Sequence, residues 1–209
     1  MDEHSPYDET RRRLLGAMVA APFLLSGSQL LRLGFGATVQ EGTALSPTPQ
    51  CGDDDDPTPA QTEGPFFTPR SPARTSLLET GLKGTKLTVT GMVVTRNCRP
   101  LSGALVDFWQ ADDVGEYDNK GYRLRGHQFT DAQGRYRLDS IVPGLYPGRT
   151  RHIHVKVQAP GKPILTTQLY FPGEPRNARD GIFHSALVMK MAAEKDRRAG
   201  LFNFVLDLA

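Results

Sequence analysis

His152-Ile153-His154 sets two imidazoles one residue apart, and Tyr146, Arg149 and Arg151 lie within the six positions before them. On an extended strand successive side chains alternate faces, so His152 and His154 project to one side and Ile153 to the other. Their roots stand roughly 6–7 Å apart along such a strand, close enough for both rings to share one metal ion. The same pair also suits two hydrogen-bonded histidines on an ordinary strand. Further donors decide between the two.

Zinc would recruit a third histidine, a carboxylate or a thiolate, but the nearest candidates here are tyrosines. Tyr146 precedes His152 across Pro147-Gly148, a pair that can turn the chain, and Tyr117 ends the loop Asp112–Tyr117. A phenol has a pKa near 10, so phenolate ligation calls for a hard, strongly charged cation, and Fe(III) meets that need better than zinc or Fe(II). Two phenolates and a hydroxide would neutralise Fe(III), which permits such a site inside an apolar sandwich. Tyr122 rivals Tyr117 for the distal phenol. His127 is a spare donor expected at the surface or behind the site. His184 stands alone, and Tyr136 and Tyr170 alternate with core residues as packing groups would.

The elements that must carry these residues read as strands. Leu87, Val89, Gly91 and Val93 alternate with polar positions, and further strands are expected at Ala104–Gln110, His152–Gln158, Thr166–Phe171, Ala186–Lys190 and Phe202–Leu206. Asp131-Ala132-Gln133-Gly134 is a turn signal between Gln128–Thr130 and Tyr136–Leu138, read as a hairpin. Ser76–Gly81 and Met191–Arg198 are expected to form short helical turns. With 21 Gly and 16 Pro in 209 residues, short strands between Gly/Pro turns predict an all-β fold, a β-sandwich of mostly antiparallel strands.

Residues 1–37 read as an address. Thr10-Arg11-Arg12-Arg13-Leu14-Leu15 is a twin-arginine arrangement leading into an apolar run, Leu14–Leu25, too short to span a bilayer. Export by the twin-arginine route, to the periplasm or the exterior, is the expectation, with no stable membrane anchor. Residues 38–60 form a Pro/Thr/Asp-rich linker, and residues 61–209 form the β domain. A formal net charge of +2 gives no reason to expect a nucleic-acid partner. Outside the cytoplasm Cys51 and Cys98 are candidates for a disulfide, whose loop closure would contribute roughly 3–4 kcal/mol.

Five segments carry a resemblance. Gln61-Thr62-Glu63-Gly64-Pro65-Phe66-Phe67, the run from Gly103 through Trp109-Gln110 to Asp112, Gly144-Leu145-Tyr146-Pro147, His152-Ile153-His154 and Thr167-Gln168-Leu169-Tyr170-Phe171 together resemble the intradiol ring-cleavage dioxygenases, in order and at compatible spacings. The likeness is to the small, exported, single-domain form of that family. It implies a non-haem Fe(III) cofactor held by Tyr117, Tyr146, His152 and His154, with Tyr146 released when substrate binds. It implies active-site roles for Arg149 and Gln168. It implies a catechol and O2 as small-molecule partners, and cleavage between the two hydroxylated carbons to a cis,cis-muconate-type product. Arg151, directly before the first histidine, departs from the family pattern. Two other readings stand beside this one: a binding module using Phe108, Trp109 and Tyr122 without catalysis, and a zinc hydrolase completed by Asp112.

Overall fold

The computed structural model describes residues 56–208. The leader expected at 1–37, the first part of the linker and Cys51 lie outside the described residues. Cys98, in the turn after the first strand, is disulfide-bonded. Contacts to the domain begin before Gln61. The Thr58 backbone N–H donates to the Val205 carbonyl at 2.9 Å, and its hydroxyl accepts from the Val205 N–H at 2.8 Å.

Among the described residues nine strands form two sheets: β1 (Lys86–Thr95), β2 (Leu105–Trp109), β3 (Arg125–Phe129), β4 (Arg135–Ile141), β5 (His152–Gln158), β6 (Leu165–Tyr170), β7 (Lys190–Ala193), β8 (Arg198–Leu201) and β9 (Phe204–Leu206). One sheet runs β4-β1-β8-β7, with β9 also pairing β1; the other runs β3-β2-β5-β6. The β-sandwich expected from the strand pattern is present. Its pairings are antiparallel except where β1 meets β8 and β9.

The inner faces interdigitate as period-2 alternation requires. Val106, Phe108, Ile153, Val155, Val157 and Leu169 from one sheet meet Val89, Val93, Leu138 and Phe204 from the other, all without solvent exposure. Burying each such side chain contributes about 1.5–3 kcal/mol. This core rigidly supports the outer face of the four-stranded sheet, where the polar residues stand.

Four local expectations are corrected. Asp131–Gly134 is a turn, but β3 and β4 do not pair with each other: β3 joins β2 and β4 joins β1. The turn carries the chain from one sheet to the other. The Gln128 side chain replaces part of the missing ladder, donating to the Arg137 carbonyl at 2.7 Å and accepting from the Arg137 N–H at 3.1 Å. Met191–Arg198 is not helical but belongs to the β7–β8 pairing. Ala186–Lys190 is not a strand: a 3-10 turn at Ser185–Leu187 precedes β7. Ser76–Gly81 likewise holds an isolated bridge and a turn, without helix. Each miss falls where tertiary pairing outweighs a weak local preference.

Candidate metal centre

Strand register assembles the site. Directly opposed residues on antiparallel neighbours share a face, so Arg125, Trp109, His154 and Gln168 form one row across β3, β2, β5 and β6. His152 stands opposite Tyr170 at the end of the same face. Ordinarily an outer face is solvated, yet these residues are buried. Residues 58–71 cross over them. The Gln61 N–H donates to the Thr166 carbonyl at 2.8 Å, Gln168 Nε2 donates to the Thr62 carbonyl at 3.0 Å, and Lys156 pairs with Glu63 at 2.5 Å. Phe67 packs edge-on against Trp109.

The two histidines converge as their spacing predicts. Their Nε2 atoms are 3.1 Å apart, and the Tyr117 hydroxyl lies 3.3 Å from His152 Nε2. His152 Nδ1 donates to the Thr150 carbonyl at 2.7 Å, which leaves its Nε2 lone pair facing the cluster. The indole of Trp109 stacks on His154, centroids 4.8 Å apart and planes 9° apart, which fixes that ring's plane. His154 Nδ1 is buried and has no hydrogen-bond partner among the described residues. Burial holds both imidazoles neutral, pushing His152 down to about 4 and His154 well below the usual histidine range.

Tyr117 and Tyr146 arrive on loops that pack backbone to backbone. A Cβ on Gly144 would lie 2.3 Å from the Gly115 nitrogen, and one on Gly115 would lie 2.4 Å from the Leu145 carbonyl oxygen. Only glycine allows that approach, and Gly115 also sits at φ +92°, where L side chains are strained. The result brings the two phenol rings edge to face, 5.9 Å between centroids. Phe66 stacks on Tyr117 at 4.5 Å and meets Tyr146 edge-on at 5.4 Å. Burial pushes the Tyr117 phenol well above its ordinary value, against the pull of the Arg149 and Arg125 charges.

Arg149 anchors a second cluster. Its Nε donates to Asp180 at 2.8 Å and its Nη2 to Gln168 Oε1 at 2.7 Å. Asp180 also accepts the Thr150 N–H at 2.8 Å, so one carboxylate holds both the guanidinium and the residue whose carbonyl orients His152. Burial opposes the Asp180 charge, but the Thr150, Arg149 and Ile182 donors outweigh it and hold the carboxyl below its usual range. Tyr170, expected only to pack, joins this network. Its hydroxyl donates to Gln168 Oε1 at 3.1 Å and accepts from Arg149 Nη2 at 3.4 Å. The amide oxygen of Gln168 thus accepts from Arg149 and faces the Tyr170 hydroxyl, whose single proton is also within reach of Gln61 Oε1 and the Ile182 carbonyl. Asp180 was missed because nothing local marks it; its position beside Arg149 is a product of folding.

Arg151, unexplained by its sequence position, points away from the histidines. It donates to Glu174 Oε1 at 2.9 Å and to the Pro143 carbonyl, tying the Tyr146 loop to the turn after β6. Tyr122, the rival phenol, is partly exposed and donates to the Pro69 carbonyl at 3.0 Å. His127 bonds the Ser71 carbonyl at 2.7 Å and sits one row from the cluster. His184 caps the 3-10 turn at Ser185, and Tyr136 packs in the core with its hydroxyl on the Phe202 carbonyl. Asp112 accepts from the Val114 and Glu116 N–H groups within its own loop.

The donor set fits a ferric ion. Two ligands each about 2.1 Å from a metal and at right angles stand about 3 Å apart, close to the separations of His152 from His154 and from Tyr117. Among the described residues no group of three or more His, Cys, Asp or Glu could hold a metal. The donor that stands beside the histidines is the Tyr117 phenol rather than a carboxylate or thiol, which argues against the zinc hydrolase reading. Burial counts against the binding-module reading, since Phe108 and Trp109 are 0% and 1% exposed.

The buried neutral histidines also set a pH dependence for the metal-free protein. His152 has a folded pKa of about 4 against an ordinary 6.5, so the unfolded chain binds more protons between those values. Stability is full above pH 6.5 and falls as the pH drops toward 4, by roughly 3 kcal/mol for His152 alone. Urea unfolding of the metal-free protein at stepped pH checks this; a midpoint independent of pH between 7 and 4.5 contradicts it.

Comparison with known proteins gives the same picture. Residues 62–208 match the sequence model of a dioxygenase family. The chain is 37% identical over 139 residues to the protocatechuate 3,4-dioxygenase beta chain of Burkholderia cepacia, covering 57% of each chain. It is 32% identical over 144 residues to catechol 1,2-dioxygenase 2 of Acinetobacter lwoffii, covering 56% of this chain and 52% of that one. The chain thus spans a little over half the length of these curated relatives. Among solved structures it resembles the dioxygenase domain of a dioxygenase–carbohydrate-binding protein fusion from Streptomyces sp. SirexAA-E. Identity there is 61% and the TM-score 0.72, covering 74% of this chain and all of that one.

Proposed function

The chain belongs to the intradiol ring-cleavage dioxygenase family, and on that premise we propose that it cleaves catechol-type rings between the two hydroxylated carbons, using O2 and a ferric ion. Both oxygen atoms enter the product, a cis,cis-muconate-type dicarboxylate, and no external reductant is needed. The observation that carries this reading is the approach of His154 Nε2 and the Tyr117 hydroxyl to His152 Nε2, at 3.1 and 3.3 Å, with the Tyr146 ring packed edge to face on Tyr117.

His152, His154, Tyr117 and Tyr146 would hold the metal. When bound, ferric iron supplies Lewis acidity toward the two catechol oxygens and makes the electron-rich ring reactive toward O2. The remaining work belongs to the protein. Tyr146, half-buried on its Pro147-Gly148 loop, is free enough to move and takes one catechol proton on its phenolate oxygen. Arg149 supplies fixed positive charge where negative charge develops on the ring. Asp180 and Gln168 hold its fork in place, so no reorientation is needed during reaction. Phe66, Phe67 and Trp109 shield the histidine face from water, which strengthens these electrostatic effects.

Ferric loading of the purified protein tests the reading. The expected results are a red to burgundy colour from phenolate-to-iron charge transfer, and catechol-dependent O2 uptake with one O2 consumed per ring opened. A protein that binds iron without a visible band has no phenolate site, and the proposal fails.

A further inference from the structure

Arg125 is a buried cation that the reaction does not use. It is 1% exposed and stands in the row with Trp109, His154 and Gln168. Among the described residues it forms no ion pair with a carboxylate. Its guanidinium instead meets two backbone carbonyls: Nε and Nη2 donate to the Asp118 oxygen at 3.1 and 2.7 Å, and Nη1 donates to the Phe66 oxygen at 2.6 Å. Burial disfavours its charge, and an apolar residue would occupy such a place at lower cost. A planar, always-charged fork there needs a reason, and the identity of its acceptors supplies one.

Asp118 directly follows Tyr117, and the Phe66 ring is the one stacked on Tyr117, centroids 4.5 Å apart and planes 18° apart. One guanidinium therefore grips both segments whose rings are in contact. The Tyr117 loop is closed on its other side, since the Asp118 carboxylate accepts from the Lys120, Gly121 and Arg123 N–H groups at 2.8–3.0 Å. The Arg125 carbonyl is held in turn by Arg74 Nε and Nη2, at 2.9 and 2.8 Å. No other described side chain hydrogen-bonds to the carbonyls of both segments.

We infer that Arg125 is a positioning residue that clamps the Phe66 and Asp118 peptides together and so holds the Tyr117 hydroxyl beside His152. It touches neither metal nor substrate. Lysine at this position keeps the charge but cannot span two carbonyls with a planar fork, so charge and geometry separate experimentally. The inference rests on Tyr117 being a metal ligand, as proposed above.

The test uses Arg125→Lys and Arg125→Gln in the full chain. In the metal-free proteins, hydrogen exchange is followed at residues 64–68 and 117–121, with β1 and β4 of the other sheet as reference. The expected result is exchange at least ~10-fold faster in both segments and unchanged in the reference strands, with ferric affinity about 10–100-fold weaker and the visible band shifted. Lysine should recover little of either. If Arg125→Gln does not fold, Arg125→Lys alone decides. Unchanged exchange overturns the inference, as does a uniform rise across both sheets, or loosened segments with unaltered affinity and band. A wild-type protein without a phenolate band would instead sink the dioxygenase reading, whatever the exchange data show.

Discussion

Tyr117→Phe is expected to weaken ferric binding by at least ~100-fold and to bring catechol turnover below about 1% of wild type. The phenylalanine keeps the stack on Phe66, whose ring centroid lies 4.5 Å away, and removes a hydroxyl whose hydrogen bond among the described residues is to His152 Nε2, at 3.3 Å. Folding should therefore survive, and far-UV circular dichroism with an unchanged unfolding midpoint serves as the control. Tyr146→Phe should behave differently. Tyr146 is only half-buried, so three fixed donors remain and ferric affinity should stay within about 10-fold. The effect should fall on turnover, through the lost proton acceptor. Equal affinity losses for the two substitutions would show that the tyrosines do not divide the work this way. A Tyr117→Phe protein with wild-type affinity and colour would remove Tyr117 from the site.

Arg149→Met should lower kcat by about 10²–10³, the usual cost of losing one fixed electrostatic contact to developing charge, with a smaller change in KM. Two effects must be separated. The substitution also strands the Asp180 carboxylate, whose side chain is 2% exposed and 2.8 Å from Arg149 Nε. Leaving such a group partly unpaired costs roughly 1–3 kcal/mol of stability. Asp180 keeps its Thr150 and Ile182 donors, so the protein should remain folded at assay temperature. Adding Asp180→Asn to Arg149→Met removes the stranded charge. The double variant should regain stability but not kcat. Recovery of turnover in the double variant would mean that Arg149 serves the fold rather than the reaction.

Much of the site was legible because its spacing is local. A one-residue gap places His152 and His154 on one face of any strand, and Pro147-Gly148 and Gly115 mark the turns that deliver the tyrosines. The phenols, standing nearer to the pair in sequence than a third histidine or a thiol, pointed to a hard trivalent ion. The β-sandwich was legible from period-2 alternation. The inter-sheet turn at Asp131–Gly134 was not, because a turn signal says that the chain reverses and not which strand it pairs with next.

Asp180, Tyr170 and Arg125 show the remaining limit. Asp180 lies 31 residues from Arg149 in the chain and bonds it at 2.8 Å, and Arg125 reaches 59 residues back to Phe66. Tyr170 looks like a packing residue until strand register sets it opposite His152. Arg151 shows the converse, since it neighbours His152 in sequence but, in the bend before β5, its side chain reaches Glu174.

The sequence by itself determined the donor types, the shared face of the histidines and the fold class, because these follow from residue chemistry and strand periodicity. Only the tertiary structure decided which phenol meets the histidines and which charges hold Arg149 and the Tyr117 loop in place. Those choices depend on inter-strand register and on the close approach of two glycine-bearing loops, and both are settled only when distant segments pack.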